Sequence, residues 1–278
     1  MSHPYPIIKV EELSHTFPDG TKALEAVNLE IHRGEFIGII GQNGSGKTTL
    51  VKHFNGLLKP TKGRVLVDSI DTRETTIASL STKVGYVFQN PDHQISKDTT
   101  EAELAFGPRN IGLSAVEIQG RVEEALRSVG IERLAKRHPL LTSKGERQLI
   151  AIASVLTMKP EVIVIDEPTT GQDKRQSQQA MKLLTDLNKA GHTIIVITHD
   201  MSLVAEYTRR IFVFHQGRIV LDDCPRKIFR EVNILRETGL RPPQITRLAQ
   251  TLQECGFSQD VLSVTEMCNE FRHIVTGS

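Results

Sequence analysis

Apolar residues in this chain are concentrated in short, almost uninterrupted runs. Four of them, Phe36–Ile40, Val84–Phe88, Val162–Ile165 and Thr193–Thr198, are typical of strands buried on both faces of a parallel sheet. Segments with helical spacing separate these runs, for example Lys174–Ala190. The alternation of strands and helices predicts an α/β fold with a doubly wound, mixed but largely parallel sheet. Ligands bind such sheets beyond the carboxyl ends of the strands.

Antiparallel strands are predicted on either side of this core. Ile7–Val10 and Ala26–Ile31 flank the turn Pro18–Gly20 and alternate apolar with polar residues, which predicts an antiparallel β subdomain. Near the end of the core, Ile211–Phe214 and Arg218–Leu221 predict a further hairpin.

Helical patterns predict an insert and a C-terminal extension. Capping boxes at Ser114–Glu117 and Ser143–Glu146 each precede an apolar helical face. They predict an all-helical insert over about residues 98–160. We therefore divide the chain into a main domain of residues 1–225 and a small extension of short helices over residues 226–278.

The segment between the first buried strand and the next helix fits the pattern G-x-x-x-x-G-K-[ST]. In this motif, backbone amides and the helix N-terminus bind phosphates, the lysine reaches the β- and γ-phosphates, and the hydroxyl binds Mg²⁺. A glycine-rich turn without a ligand is the alternative, but the strand–loop–helix context favours a nucleotide. The predicted nucleotide-binding residues are Gly41, Gln42, Asn43, Gly44, Ser45, Gly46, Lys47, Thr48 and Thr49. The following helix is expected to end near Leu58.

Composition and charge narrow the range of partners. The 34 basic and 33 acidic residues leave a formal net charge of +1, so no global field favours nucleic acid or an anionic membrane. Cys224, Cys255 and Cys268 lie far apart, which fits a reducing compartment better than a disulfide framework. No segment approaches the about 18 apolar residues that span a bilayer. We therefore expect membrane attachment only through a partner.

Four polar residues follow buried strands on one side of the predicted sheet: Gln89, Asp166, Glu167 and His199. Phosphoryl transfer to water requires a metal, a base for the water and a group that senses the γ-phosphate. Asp166 is a candidate Mg²⁺ ligand beside Thr48, and Glu167 is placed to polarise water. His199 can donate to a γ-phosphate oxygen, and Gln89 can bind the metal or orient water. Each alone could be an ordinary loop residue, but their shared position favours ATP hydrolysis.

With these motifs in this order, the sequence resembles the ATP-binding cassette ATPases over about residues 6–225. The resemblance implies ATP and Mg²⁺ as cofactors, Phe17 as the aromatic residue that stacks on adenine, and Gly171–Asp173 as the D-loop. It also implies a head-to-tail dimer. Ser143 and Gly145, in the signature segment of one subunit, would complete the ATP site of the other.

Further stretches are similar to the ATPase subunits of energy-coupling factor transporters, which import vitamins or transition-metal ions. They are Phe88–Ile95, Ala105–Leu113 and the tail Arg236–Pro243, which resembles an extension that helps to pair two ATPases. The resemblance implies integral membrane subunits and a second ATPase as partners, no nucleic acid, and a peripheral position on the cytoplasmic face of the cell membrane. The alternatives are another importer class, a soluble cassette ATPase acting on ribosomes or DNA, and a regulatory module without turnover, against which Glu167 argues.

The signature segment departs from the usual L-S-G-G-Q. It reads Thr142–Glu146, with Lys144 in place of the first glycine, and Leu149 stands where an arginine is common. Ser143 and Glu146 form a capping box. We therefore expect the N–H groups at this helix N-terminus to be hydrogen-bonded within the segment itself. The ATP site completed by this chain would then bind ATP more weakly, since the hydrogen bonds of the capping box must break before these groups can bind a phosphate. A working site with different clamping is the alternative.

Apolar residues that follow Gln89 predict a docking groove. We expect Ile95, Leu104, Phe106 and Pro108 to receive a short helix of a membrane partner. The alternative is that these residues pack within the helical insert.

Overall fold

Two sheets with flanking helices make up the computed structural model, which describes residues 5–276. In chain order, the strands within this range are β1 (Ile8–Thr16), β2 (Lys22–Ile31), β3 (Phe36–Gly41), β4 (Lys62–Val67), β5 (Ile70–Asp71), β6 (Val84–Val87), β7 (Val162–Asp166), β8 (Thr193–Ile197), β9 (Arg210–His215) and β10 (Arg218–Asp223). The α-helices in the same range are α1 (Lys47–Phe54), α2 (Ile77–Ser81), α3 (Thr100–Asn110), α4 (Ala115–Val129), α5 (Lys144–Leu156), α6 (Lys174–Lys189), α7 (Met201–Tyr207), α8 (Pro225–Arg230), α9 (Val232–Glu237), α10 (Gln244–Thr251) and α11 (Val264–Thr276).

The main sheet has the strand order β10-β9-β3-β8-β7-β6. Its strands run parallel except β10, which pairs antiparallel with β9 at one edge. Every residue of β3, β7 and β8 is buried, as their continuous apolar runs predict. Ile39 pairs with Ile197, and Ile165 pairs with both Val196 and Val87. The carboxyl ends of β3, β8, β7 and β6 therefore meet at one edge, and the predicted fold class is confirmed.

The second sheet is antiparallel and has the order β2-β1-β4-β5. Its first two strands are longer than predicted because register shifts along β1 interrupt the apolar alternation without ending the pairing. Leu13 and Val65 of this sheet share one buried cluster with Phe54 of α1 and Ile37 of β3. This cluster fixes the antiparallel sheet beside the loop that precedes α1.

The helices α3, α4 and α5 pack together beside the main sheet. Leu104 of α3 and Ile150 of α5 belong to one buried cluster with Ile163 of β7. Both predicted capping boxes are present, at the N-termini that follow Ser114 and Ser143.

The C-terminal helices make two clusters. Ile228 of α8 and Leu235 of α9 are buried with Ile40 of β3 and Val213 of β9. A smaller cluster around Ala249 joins α10 to the segment that follows it. No helix in the part of the chain that the structure describes is long and apolar enough to cross a membrane.

Helix α1 is shorter than predicted. It ends at Phe54 rather than near Leu58. The side-chain oxygen of Asn55 accepts a hydrogen bond of 3.1 Å from the N–H of Leu57. This asparagine-based turn ends the helix four residues before the predicted end.

Candidate active site

The loop between β3 and α1 brings its backbone unusually close to β2. Gly46 has φ +108, and a Cβ at this position would lie 2.6 Å from the carbonyl oxygen of Ala23. Only glycine fits that approach. The neighbouring hydroxyl of Ser45 is buried without a hydrogen-bond partner among residues 5–276. A buried hydroxyl of this kind normally has a partner, and a phosphate oxygen of a bound nucleotide would supply one.

Lys47, at the start of α1, is held by the same loop. Its Nζ donates hydrogen bonds of 2.8 Å to the carbonyl oxygens of Gly41 and Gln42. Burial lowers the pKa of Lys47, while the charges of Glu167 and Asp166 oppose that effect. The ammonium group is therefore placed on the loop by neutral acceptors, and its charge is available for an anion.

Asp166 ends β7 and is 5% exposed. Its Oδ2 accepts hydrogen bonds of 2.9 Å from Thr48 Oγ1 and 3.1 Å from the hydroxyl of Tyr86. Burial raises the pKa of Asp166, and these two hydrogen bonds oppose the rise. Adjacent oxygen ligands of an octahedral Mg²⁺ lie about 3.0 Å apart when each is about 2.1 Å from the metal. The Thr48 and Asp166 oxygens therefore fit this cation.

Glu167 follows directly in an uncommon conformation, with φ +52. Its side chain is 12% exposed, and its Oε1 lies 2.8 Å from Nδ1 of His199. Its Oε2 accepts a hydrogen bond of 3.1 Å from Thr170. Strained backbone of this kind concentrates at functional sites. The carboxylate is thus fixed in orientation by two neighbours, one of which, His199, has a side chain that is 74% exposed.

One cavity of about 330 Å³ brings together most of the predicted site residues. Among the residues that line it are Phe17, Asn43, Gly44, Gly46, Lys47, Thr48, Thr49, Gln89, Asp166 and Glu167. Phe17 packs edge-on against His15, with ring centroids 4.8 Å apart. The cavity therefore runs from an aromatic ring through the phosphate loop to the two carboxylates.

The predicted signature residues lie elsewhere. Ser143 and Gly145 line a separate cavity of about 180 Å³ together with Gln172. Glu146 accepts hydrogen bonds of 2.9 and 3.0 Å from the N–H and hydroxyl of Ser143, and its other oxygen lies 2.6 Å from Nη2 of Arg133. The Ser143 hydroxyl in turn accepts the N–H of Glu146. The predicted capping box is confirmed, and the ion pair of Arg133 with Glu146 further holds the carboxylate in place.

Comparison with known proteins identifies the family. The family described as ABC transporter matches residues 24–170. The chain is 39% identical over 274 residues to the energy-coupling factor transporter ATP-binding protein EcfA of Methanothermobacter thermautotrophicus, covering 98% of this chain and 88% of that one. It is 48% identical over 261 residues to a putative ABC transporter ATP-binding protein of Caldanaerobacter subterraneus, covering 94% of this chain but 45% of that longer protein.

A solved structure agrees. The cbiO1 protein of Clostridium perfringens, described as part of the ABC transporter complex cbiONQ, has a TM-score of 0.76 and 40% identity over 88% of this chain and 99% of that one. The chain belongs to the ABC transporter family. It is an ATP-hydrolysing cassette, as predicted, and its similarity to the energy-coupling factor group is also confirmed.

Sequence reasoning missed several residues of this ABC cassette site. Tyr86 is a buried strand residue that reads as ordinary core, and only the paired register of β6 and β7 reveals its contact with Asp166. Thr170 and Arg133 were also missed. Thr170 follows Glu167 by three residues, a spacing that could have suggested the contact. Arg133 comes from the short 3-10 helix Glu132–Leu134, which no local signal links to Glu146.

The predicted docking groove is largely wrong. Leu104 is fully buried, Ile95 is 9% exposed and Pro108 is buried, so these three pack within the helical insert. Phe106 differs, being 43% exposed. It lines an apolar cavity of about 330 Å³ whose other lining residues include Leu57, Ile77, Phe88, Ile111 and Met158.

Proposed function

We propose that this protein is the ATP-hydrolysing subunit of an energy-coupling factor importer for a vitamin or a transition-metal ion. It would lie on the cytoplasmic face of the cell membrane, bound to integral membrane subunits and to a second ATPase. The relatives named as energy-coupling factor ATP-binding proteins support the importer class. One observation supports the chemistry: Glu167 lines one cavity with Asp166 and Thr48, and its carboxylate is hydrogen-bonded to His199.

In this proposal, ATP lies along the cavity with adenine on Phe17. The amides of Gly41–Thr49, the Ser45 hydroxyl and Lys47 hold the phosphates. Thr48, Asp166 and Gln89 hold Mg²⁺, which would neutralise developing phosphate charge.

The chain's own residues then position and activate water. Glu167 accepts a proton from the water that attacks the γ-phosphorus, and Thr170 holds the other side of its carboxylate. His199 donates through Nδ1 to Glu167. Its Nε2 can donate to a γ-phosphate oxygen only when both ring nitrogens carry a proton.

The proposal includes a second ATPase because the signature residues lie outside this cavity. We assign Ser143 and Gly145 to the ATP site of the partner subunit, and residues 226–278 to pairing between the subunits. The closed capping box of Ser143 and Glu146, reinforced by Arg133, supports a weakened grip at that site.

The membrane subunit is assigned to the cavity around Phe106. Its lining is largely apolar, and the exposed side chains of Leu57, Ile77 and Phe106 fit the apolar face of a short helix. Phe88 also lines it and directly precedes Gln89 in the nucleotide cavity. Movement of Gln89 with ATP would therefore reach the docked helix.

Purification of the tagged chain from native membranes tests this proposal. Integral membrane proteins and a second cassette ATPase should co-purify in fixed ratio, and the complex should hydrolyse ATP. Recovery of the chain with ribosomes or DNA, and without membrane proteins, would support the soluble cassette reading instead.

A further inference from the structure

A second concave site lies in the C-terminal extension. It is a cavity of about 790 Å³ between α9, α10 and the residues that follow them. Arg236, Arg241 and Arg247 line it together with three glutamines and one threonine. Within residues 5–276, no aspartate or glutamate belongs to this lining.

The three guanidinium groups have no ion pair or side-chain hydrogen bond within the described range. Two acids of the extension pair with arginines outside this lining. Asp260 pairs with Arg230, and Glu266 pairs with Arg226 at 2.7 Å. The lining of the cavity therefore holds three arginines that form no ion pair within residues 5–276, not even with Glu237 and Glu254, which adjoin lining residues in the sequence.

Such a cavity suits one class of ligand. Clustered positive charge in a concave site concentrates anions, and the planar fork of arginine binds phosphate oxygens in pairs. The volume is that of a small-molecule site, which lies at roughly 300–1,000 Å³. We propose that this cavity binds a small molecule carrying two or more phosphate groups.

The cavity is also connected to the phosphate loop of the ATP site. Gly239 lines it with φ +68, and a Cβ at this glycine would overlap the side-chain amide of Gln42. The backbone carbonyl of Gln42 holds Lys47 Nζ at 2.8 Å. A ligand that shifts the segment from Arg236 to Arg241 therefore displaces Gln42 and changes the position of Lys47. By linkage, nucleotide and second ligand change each other's affinity by the same factor.

The test uses the full chain saturated with ADP, so that the phosphate loop is filled. Inorganic pyrophosphate is then titrated calorimetrically without Mg²⁺. We expect one additional binding event, and the variants Arg241→Gln and Arg247→Gln should each weaken it about tenfold or more. Arg127→Gln is the matched control, because Arg127 is an exposed arginine of α4 without an ion pair within residues 5–276. This variant should bind pyrophosphate as the wild type does.

A second measurement tests the connection. The ADP affinity of the wild type should change when pyrophosphate is present, and that change should be absent in Arg241→Gln. Absence of the additional binding event, or equal weakening in Arg127→Gln, would overturn the proposal. The proposal requires this cavity to stay open when the extension pairs two subunits. It would also be overturned if the cavity variants altered only self-association in sedimentation experiments, since the cavity would then be part of the subunit contact assigned above to residues 226–278.

Discussion

A buried histidine pair next to the phosphate loop should make the stability of this protein depend on pH. His53 of α1 is fully buried, and its Nδ1 lies 2.8 Å from the carbonyl oxygen of Thr49. Because that carbonyl can only accept, Nδ1 carries the proton and Nε2 accepts from His15 Nδ1, 3.1 Å away. Burial lowers the pKa of His53 from 6.5 to about 4. The folded protein thus keeps this ring neutral.

The sign and size of the effect follow from linkage. Between pH 6.5 and 4 the unfolded chain binds a proton at this ring and the folded chain does not, so stability falls as the pH falls through that window. Each pKa unit corresponds to about 1.36 kcal/mol. We therefore expect His53 to remove about 2 kcal/mol between pH 7.5 and 5, and about 3 kcal/mol once the pH reaches 4.

Urea unfolding at pH 7.5 and pH 5 measures this loss. His53→Gln can still donate to Thr49 and accept from His15, but it does not titrate, so its free energy of unfolding should fall about 2 kcal/mol less than that of the wild type. His32→Gln, at an exposed histidine, should retain the wild-type dependence. If His53→Gln loses as much stability as the wild type, the neutral buried ring does not account for the effect.

Three further predictions concern turnover and assembly. Glu167→Gln should keep ATP binding near the wild-type level but lower phosphate release by about 10²-fold or more; near-normal hydrolysis would rule out Glu167 as the base. In a heterodimer with a consensus-signature ATPase, Glu167→Gln in this chain should remove most hydrolysis, whereas the equivalent change in the partner should remove little; equal losses would show that the variant signature grips ATP normally. Phe106→Glu should prevent co-purification of membrane subunits while thermal unfolding and ATP binding stay unchanged. Val116→Glu, at an 83% exposed apolar residue of α4, is its control, and loss of folding in Phe106→Glu would assign Phe106 to the core.

The sequence predicts those parts of the site that depend on local order. The phosphate loop is one continuous segment, and the positions of Asp166 and His199 follow from the ends of recognisable strands. Contacts between distant segments are a different matter. The hydrogen bond from Tyr86 to Asp166 depends on the register of two strands, and the overlap of Gly239 with Gln42 depends on how the extension folds back.

The docking prediction shows a second limit. Helical apolar residues near Gln89 look equivalent in the sequence, yet Leu104 faces the core and Phe106 faces solvent. Helical spacing separates such faces only when the bounds of the helix are known. The missing information was the position of α3, together with Leu57 and Ile77, which approach Phe106 from elsewhere in the chain.

The cluster that joins α8 and α9 to the main sheet has a consequence for how the chain unfolds. Ile228, Phe229 and Leu235 are at most 1% exposed and belong to the same cluster as Ile40 and Val213. A chain shortened to residues 1–225 would expose part of its core to water. The boundary at residue 225 therefore does not separate two independently folding units. The main sheet and the first two helices of the extension should melt as one cooperative unit. Helices α10 and α11 share a small cluster of their own and could open before this unit does, once the ion pairs of Arg226 with Glu266 and of Arg230 with Asp260 break.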